Sequence, residues 1–382
     1  MTLSRRAFVH RFGAGSALGL AAMVAARGRE GLAGRAAGAL FPALEANGGP
    51  IRLDSNENPN GPCQASLDAL RGAFAEACRY PHNQTELPDA LARLHRVKPE
   101  NVLLGCGSTE ILRMAVLAFT TAGRPLVQGS PTFESPARDA EMVGTPVISV
   151  PVDAALRLDL AAMADKAQGA GLVFLCNPNN PTGTVHGAGA ITDFIGQVLR
   201  ISPTTCILVD EAYHEYVDDP GYRTALPLAV GNPQVIVSRT FSKVYGMAGL
   251  RIGYAVGRAD TLKAMARFRL GNSVNVLAAA GALAGLSQEA HVARQVALNV
   301  EARAFTRRAL EAAGFQVVPP AGNFMMVNIR RDAKAFQDAC GKKGLMVGRP
   351  FPPLTTYSRI SVGTLDEMQR AVAIVKDVLA AA

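Results

Sequence analysis

Residues Ser238 to Tyr254 read S-R-T-F-S-K-V-Y-G-M-A-G-L-R-I-G-Y, with one lysine, Lys243, just past an apolar run that ends at Ser238. One strand–helix unit upstream, V-D-E-A-Y puts Asp210 at the end of another apolar run, Cys206 to Val209. Taken singly, a lysine is usually a solvated charge, and an aspartate after a strand usually caps a helix or turn. The pair gains meaning from the pattern on either side of it.

Short apolar runs recur at Asn101–Leu104, Pro125–Gln128, Pro146–Val150, Leu172–Cys176, Cys206–Val209, Val235–Ser238 and Ile252–Val256. Ala- and Leu-rich stretches with helical spacing lie between several of them, as at Glu110–Phe119 and Ile191–Arg200. Alternation of this kind predicts a doubly wound α/β layer built on a mainly parallel sheet. Such sheets bind ligands beyond the carboxyl ends of their strands, which is where Asp210 and Lys243 stand.

The composition is that of a folded enzyme. At 382 residues, 49% apolar and 18% charged, the chain can bury a large core, and Gly and Pro are dispersed instead of forming low-complexity blocks. The formal net charge is +8, but residues 1–40 hold six Arg and one Glu, so about +3 is left for the remainder. No basic stripe with interleaved aromatics remains, which argues against nucleic-acid binding. Cys176 and Cys206 fall in apolar runs and read as packed thiols. The spacing of the six cysteines and six histidines matches no zinc pattern.

The first 39 residues read as an address. S-R-R-A-F-V-H (Ser4 to His10) has the form of a twin-arginine export signal, and the uncharged stretch Phe12–Ala26 has the length of a signal h-region. Ala37-Gly38-Ala39 offers a cleavage site. The expected partner is the twin-arginine export machinery and the expected location periplasmic or otherwise exported. A basic N-terminal arm on a cytoplasmic protein is the alternative.

From Gly105 onward the chain offers G-C-G-S-T-E-I-L, S-P-T-F, N-P-N-N-P-T-G, D-E-A-Y-H-E-Y, the lysine segment and S-R-I-S-V-G-T, preceded by L-D-S-N-E-N-P-N-G-P from Leu53. The series resembles fold-type I pyridoxal phosphate aminotransferases, most closely the histidinol-phosphate aminotransferase group, over nearly the whole chain from Leu53. The resemblance implies an aspartate-aminotransferase-like fold. A large domain with a mainly parallel seven-stranded sheet is joined there by a smaller C-terminal α/β domain. The corresponding divisions are a 1–39 signal, a 40–78 N-terminal arm packing across a dimer, a 79–275 cofactor domain and a 276–382 small domain.

It also implies roles. Lys243 holds pyridoxal 5'-phosphate as an imine and later shuttles a proton, and Asp210 keeps the pyridine nitrogen protonated. Ser108, Thr109, Thr240, Ser242 and Arg251 form the phosphate cup, and Ser108 and Thr109 open a helix whose N–H groups and dipole favour an anion. Phe133 stacks on the ring, while Asn180 and Tyr213 bond its phenolic oxygen. Tyr80 reaches the phosphate of the neighbouring subunit in a homodimer. Arg359 grips the substrate's carboxylate, with Asn180 beside it, and Arg349 helps with a phosphate.

The activity implied is transfer of an amino group from a donor such as glutamate to a keto acid or aldehyde. A decarboxylase or C–S lyase on the same scaffold is an alternative, as is a non-catalytic exported binding protein. Export sits poorly with a cytoplasmic phosphorylated substrate, and the P-F-P-P-L-T-T-Y-S stretch between Arg349 and Arg359 is short, so the substrate stays open. A serine hydrolase is excluded, because G-x-S-x-G is absent and Thr240 occupies the serine position of S-x-x-K before Lys243.

Overall fold

The computed structural model describes residues 49–81 and 85–380. The 1–39 address segment lies outside them. From Pro50 onward the chain is one compact unit, with its first strand at β1 (Ile51–Leu53).

Seven strands then form the main sheet: β2 (Val102–Gly105), β3 (Leu126–Ser130), β4 (Val147–Pro151), β5 (Leu172–Cys176), β6 (Cys206–Asp210), β7 (Val235–Thr240) and β8 (Gly253–Gly257). Their order is β2-β8-β7-β6-β5-β3-β4. All seven apolar runs became these strands, with no end shifted by more than two residues. From β4 to β7 every pairing is parallel, whereas β8 runs antiparallel to both β7 and β2. The sheet is therefore mixed at one edge. The return from Thr240 to Gly253 carries no crossover helix, only a 3-10 turn at Ala248–Leu250. Antiparallel neighbours accept such a connection, while a parallel one is usually made by an α-helix that crosses the sheet.

Strands β5 to β8 are buried along their entire length, as near-continuous apolar runs require when helices cover both faces. One face packs against the helix Gly107–Phe119 through Ile111, Leu112 and Ala115. The other packs against Ala188–Ile201 through Ile191, Phe194 and Val198.

The C-terminal part adds β9 (Gln316–Val317), β10 (Phe324–Asn328), β11 (Leu345–Val347) and β12 (Tyr357–Ser361). β12, β10 and β9 form an antiparallel sheet, and β11 pairs in parallel with β1. Ile51 and Leu53 are thereby buried in the C-terminal core beside Val327, Phe336 and Leu345. Of the segment read as an arm over a partner, residues 51–53 thus pack inside their own chain. The helix Val276–Leu286, expected to open the small domain, packs through Ala278 and Ala282 with Leu91, Phe241 and Ile252. The change of core falls later, along the helix Glu289–Glu311. Val292 and Val296 of that helix pack against the cluster that includes Tyr213, Tyr216 and Phe324, and its Ala302 and Leu310 enter the C-terminal core.

A buried ion pair fixes the strand ends that matter. Glu211, following β6, takes two bonds from Arg239 of β7, the shorter at 2.8 Å, and also accepts from the Ala225 amide at 2.6 Å. Removing one partner strands the other charge, a loss of about 3–5 kcal/mol. Urea unfolding of Glu211→Ala is expected to show a loss of that size; a change under about 1 kcal/mol would mean the pair does not hold β6 to β7.

Candidate active site

A cavity of about 550 Å³ opens where β5, β6 and β7 end. It is lined by Ser108, Thr109, Phe133, Asn180, Asp210, Tyr213, Thr240, Ser242, Lys243, Arg251, Arg349 and Arg359, which is every site residue singled out in the sequence except Tyr80. Tyr80 is 75% exposed on the surface of this chain.

One end of the cavity is a backbone cradle. β2 turns into the helix Gly107–Phe119 with no side-chain cap at Cys106, which leaves first-turn N–H groups without a side-chain acceptor there. Gly107 has φ +73°, and a Cβ on it would stand 2.4 Å from Nη2 of Arg251. Gly253 is equally constrained, since its Cβ would meet the Ser108 nitrogen at 2.4 Å. Thr240 donates to Ser242 Oγ at 2.9 Å and accepts from the Ser242 amide at 3.1 Å, folding the hydroxyls together. A helix N-terminus, two hydroxyls and a guanidinium are the donor set a phosphate takes.

At the carboxyl end of β6, in the same cavity, Asp210 is 3% exposed, and its Oδ1 accepts from Ser238 Oγ at 2.8 Å. Burial raises its carboxyl to about 6; the Ser238 bond and Lys243 pull it down, and Glu211 pushes it up. A buried carboxylate that faces a cavity with a hydroxyl as its close donor is suited to a cationic ring nitrogen.

That shift fixes a pH dependence. The unfolded residue titrates near 3.8 and the folded one near 6, so the native protein retains a proton that the unfolded chain has released. Stability is therefore lost as pH rises through this window and is level above it, a penalty of about 2–3 kcal/mol. Cofactor-free Asp210→Asn is expected to melt above wild type at pH 8, with the gap narrowing at pH 5. A gap independent of pH would contradict the buried-carboxylate account.

Lys243 Nζ donates to the Asn56 carbonyl at 3.0 Å, with the Ser55 carbonyl at 3.5 Å. Burial pulls its amine down to about 8, helped by Arg359 and opposed by Glu57 and Asp210. Asn56 holds a left-handed backbone at φ 53°. Its Nδ2 donates to the Tyr213 hydroxyl at 3.2 Å, and its amide and Oδ1 bind Ser361 Oγ at 2.8 and 2.9 Å. Burial raises the Tyr213 phenol well above its ordinary range, so the ring stays a neutral donor.

Arg359 is buried, with Nη1 donating to Asn180 Oδ1 at 2.7 Å and Nη2 to the Asp54 carbonyl at 2.5 Å. Its Nε has no hydrogen-bond partner among the described residues. Arg349 pairs with Glu134. Asp54, Ser55, Asn56, Glu57, Cys176 and Gln337 also line the cavity and were not singled out in the sequence. The L-D-S-N-E-N-P-N-G-P stretch was noted there as a family mark, and the left-handed Asn it contains was the available signal.

The family model for aminotransferase class I and II matches residues 49–375. The chain belongs to this family. It is a pyridoxal-phosphate-dependent aminotransferase, and the cradle, Asp210 and Lys243 fit that cofactor's phosphate, ring nitrogen and aldehyde. The chain is 37% identical over 335 residues to the histidinol-phosphate aminotransferase of Moorella thermoacetica, covering 86% of each. It is 35% identical over 325 residues to the aromatic amino acid aminotransferase of Thermobifida fusca, covering 84% of this chain and 88% of that one. A histidinol-phosphate aminotransferase from Sinorhizobium meliloti, solved in complex with pyridoxal-5'-phosphate, superposes with a TM-score of 0.80 at 28% identity. That match covers 86% of this chain and 90% of the other.

Proposed function

We propose that this aminotransferase moves amino groups between glutamate and the ketone partner of an amine of the histidinol-phosphate class, seating the acidic end of its substrate on Arg359. The observation that carries the reading is a buried guanidinium with an unpartnered Nε in the cavity that holds Lys243. A second arginine, Arg349, lines the same cavity. Several relatives at 35–38% identity are histidinol-phosphate aminotransferases, which supports this substrate class.

Pyridoxal phosphate, when bound, supplies an aldehyde that exchanges amino groups and a ring that delocalises the charge left at the substrate α-carbon. The protein's part is placement and proton handling. Ser108, Thr109, Thr240, Ser242 and Arg251 would hold the phosphate. Asp210 would keep the ring nitrogen protonated, Asn180 and Tyr213 would hold the phenolic oxygen, and Phe133 would cover the ring. The Lys243 amine, lowered towards neutrality, takes and returns the proton at the substrate α-carbon. Asn56 orients this amine through its carbonyl and the tyrosine through its amide.

The test is a steady-state comparison, with 2-oxoglutarate as acceptor, of histidinol phosphate, histidine and phenylalanine as donors. The largest kcat/KM is expected for histidinol phosphate. Turnover of phenylalanine with none of histidinol phosphate would reject the substrate class while leaving the aminotransferase in place.

The reading extends to assembly and location. Tyr80, Phe74 and Leu270 are exposed aromatic or aliphatic side chains, and a homodimer in which Tyr80 enters the partner's phosphate site would cover them. A fully active monomer in sedimentation would remove that arrangement. The first 39 residues would direct the protein to the periplasm through the twin-arginine machinery. Changing Arg5 and Arg6 to Lys is then expected to retain it in the cytoplasm, and an unchanged distribution counts against export.

A further inference from the structure

Glu134 directly follows Phe133 and stands at the start of the helix Ser135–Met142, yet its side chain makes no capping bond to that helix. Instead its Oε2 lies 2.5 Å from Arg349 Nη2, on the loop between β11 and β12. Arg349 also donates through Nη1 to the Pro350 carbonyl at 2.8 Å. Its guanidinium lies 4.3 Å from the centre of the Phe351 ring, and that of Arg359 lies 4.8 Å from the same ring.

Two arginines thus flank one aromatic ring, but they are not equivalent. Arg359 is 8% exposed and is held by Asn180 and a backbone carbonyl, with no carboxylate bonded to its guanidinium among the described residues. Arg349 is half-exposed and already neutralised by a carboxylate of comparable exposure. An ion pair open to water on both sides is weak, worth at most about 1 kcal/mol, so an incoming anion can displace it.

We propose that Glu134 is the specificity-determining residue of the anion seat. This internal carboxylate keeps Arg349 when the substrate's acidic group is a singly charged carboxylate and surrenders it to a doubly charged phosphate monoester. The proposal rests on the reading of Arg359 as the seat. A carboxylate is matched by Arg359 alone and gains little from freeing Arg349. A phosphate dianion is undercompensated by one guanidinium; it recruits the second, but then sits near the displaced Glu134, and like charges placed together cost affinity. An enzyme that alternates between two amino substrates in one cavity must accept two different acids at one seat. An exchangeable countercharge on one of two arginines meets that need without moving the buried one.

The test uses two unreactive probes with the same apolar body, 2-phenylethyl phosphate and 3-phenylpropionate. Each is titrated calorimetrically into the pyridoxal-phosphate-loaded protein near pH 8, where the phosphate is dianionic. Glu134→Gln keeps the shape of the side chain and removes its charge. The ratio of phosphate to carboxylate affinity is expected to rise about tenfold in this variant. In Arg349→Gln the phosphate preference is lost, and adding Glu134→Gln to that variant changes the ratio by less than about twofold. A ratio in Glu134→Gln equal to or below that of wild type overturns the proposal. Arg359→Gln separates the two levels. If it weakens both probes while Glu134→Gln leaves the ratio alone, the seat stands and the role of Glu134 falls. If it weakens neither, seat and proposal fall together.

Discussion

Lys243→Ala is expected to lose about 10²–10⁴ of its turnover or more, the range attached to a positioned proton-transfer group, while remaining folded. The size follows from two duties converging on one amine. Covalent attachment of the cofactor and proton transfer at the substrate α-carbon both need a lysine that is partly unprotonated near neutrality, and burial beside Arg359 brings this amine to about 8. The structural cost is small, because among the described residues Nζ hydrogen-bonds only to the carbonyls of Ser55 and Asn56. Single-turnover rates with glutamate, read beside far-ultraviolet circular dichroism, separate the two effects. A folded variant within about tenfold of wild type would contradict both duties.

Asp210→Ala is expected to cost about 10²–10³ in turnover, on the scale of removing one preorganised electrostatic partner from a dry site. Asp210 is buried and bonded to Ser238, and its carboxyl stands near 6 even with the Lys243 amine pulling it down, so a further cation is accommodated. A protonated ring nitrogen supplies that cation, and the partnership is reciprocal: the carboxylate raises the nitrogen's affinity for its proton, and the pyridinium lowers the cost of the buried charge. Cofactor affinity should therefore fall together with turnover. Near wild-type transamination by this variant would refute the assignment.

The pair that opened the sequence reading, Lys243 and Asp210, was legible because each follows an apolar run and so stands at a strand end. The strands themselves were legible for a related reason: sheets covered on both faces leave unbroken apolar runs. What such runs do not carry is direction. Nothing in Gly253–Gly257 distinguishes a parallel from an antiparallel strand, and the reversal of β8 shows only in the structure, where the return that precedes it carries no helix.

Contacts between distant segments were less visible. The bond from Lys243 to Asn56 joins residues 187 apart in sequence, and the place of Ile51 and Leu53 in the C-terminal core depends on a pairing with β11 that no local pattern announces. Arg349 and Arg359 were recognisable as candidates. That one of them arrives already paired with Glu134 is a property of packing. Tyr80 was chosen from its family position, and within a single chain it lies outside the cavity.

The central claim is that the cofactor is joined to this protein through Lys243. Borohydride reduction of the protein loaded with pyridoxal phosphate, followed by proteolysis and peptide mass mapping, tests it most directly. A pyridoxyl label on the peptide carrying Ser242-Lys243-Val244 is the predicted result. Label on another lysine, or a chain that releases its cofactor unmodified after reduction, would contradict it.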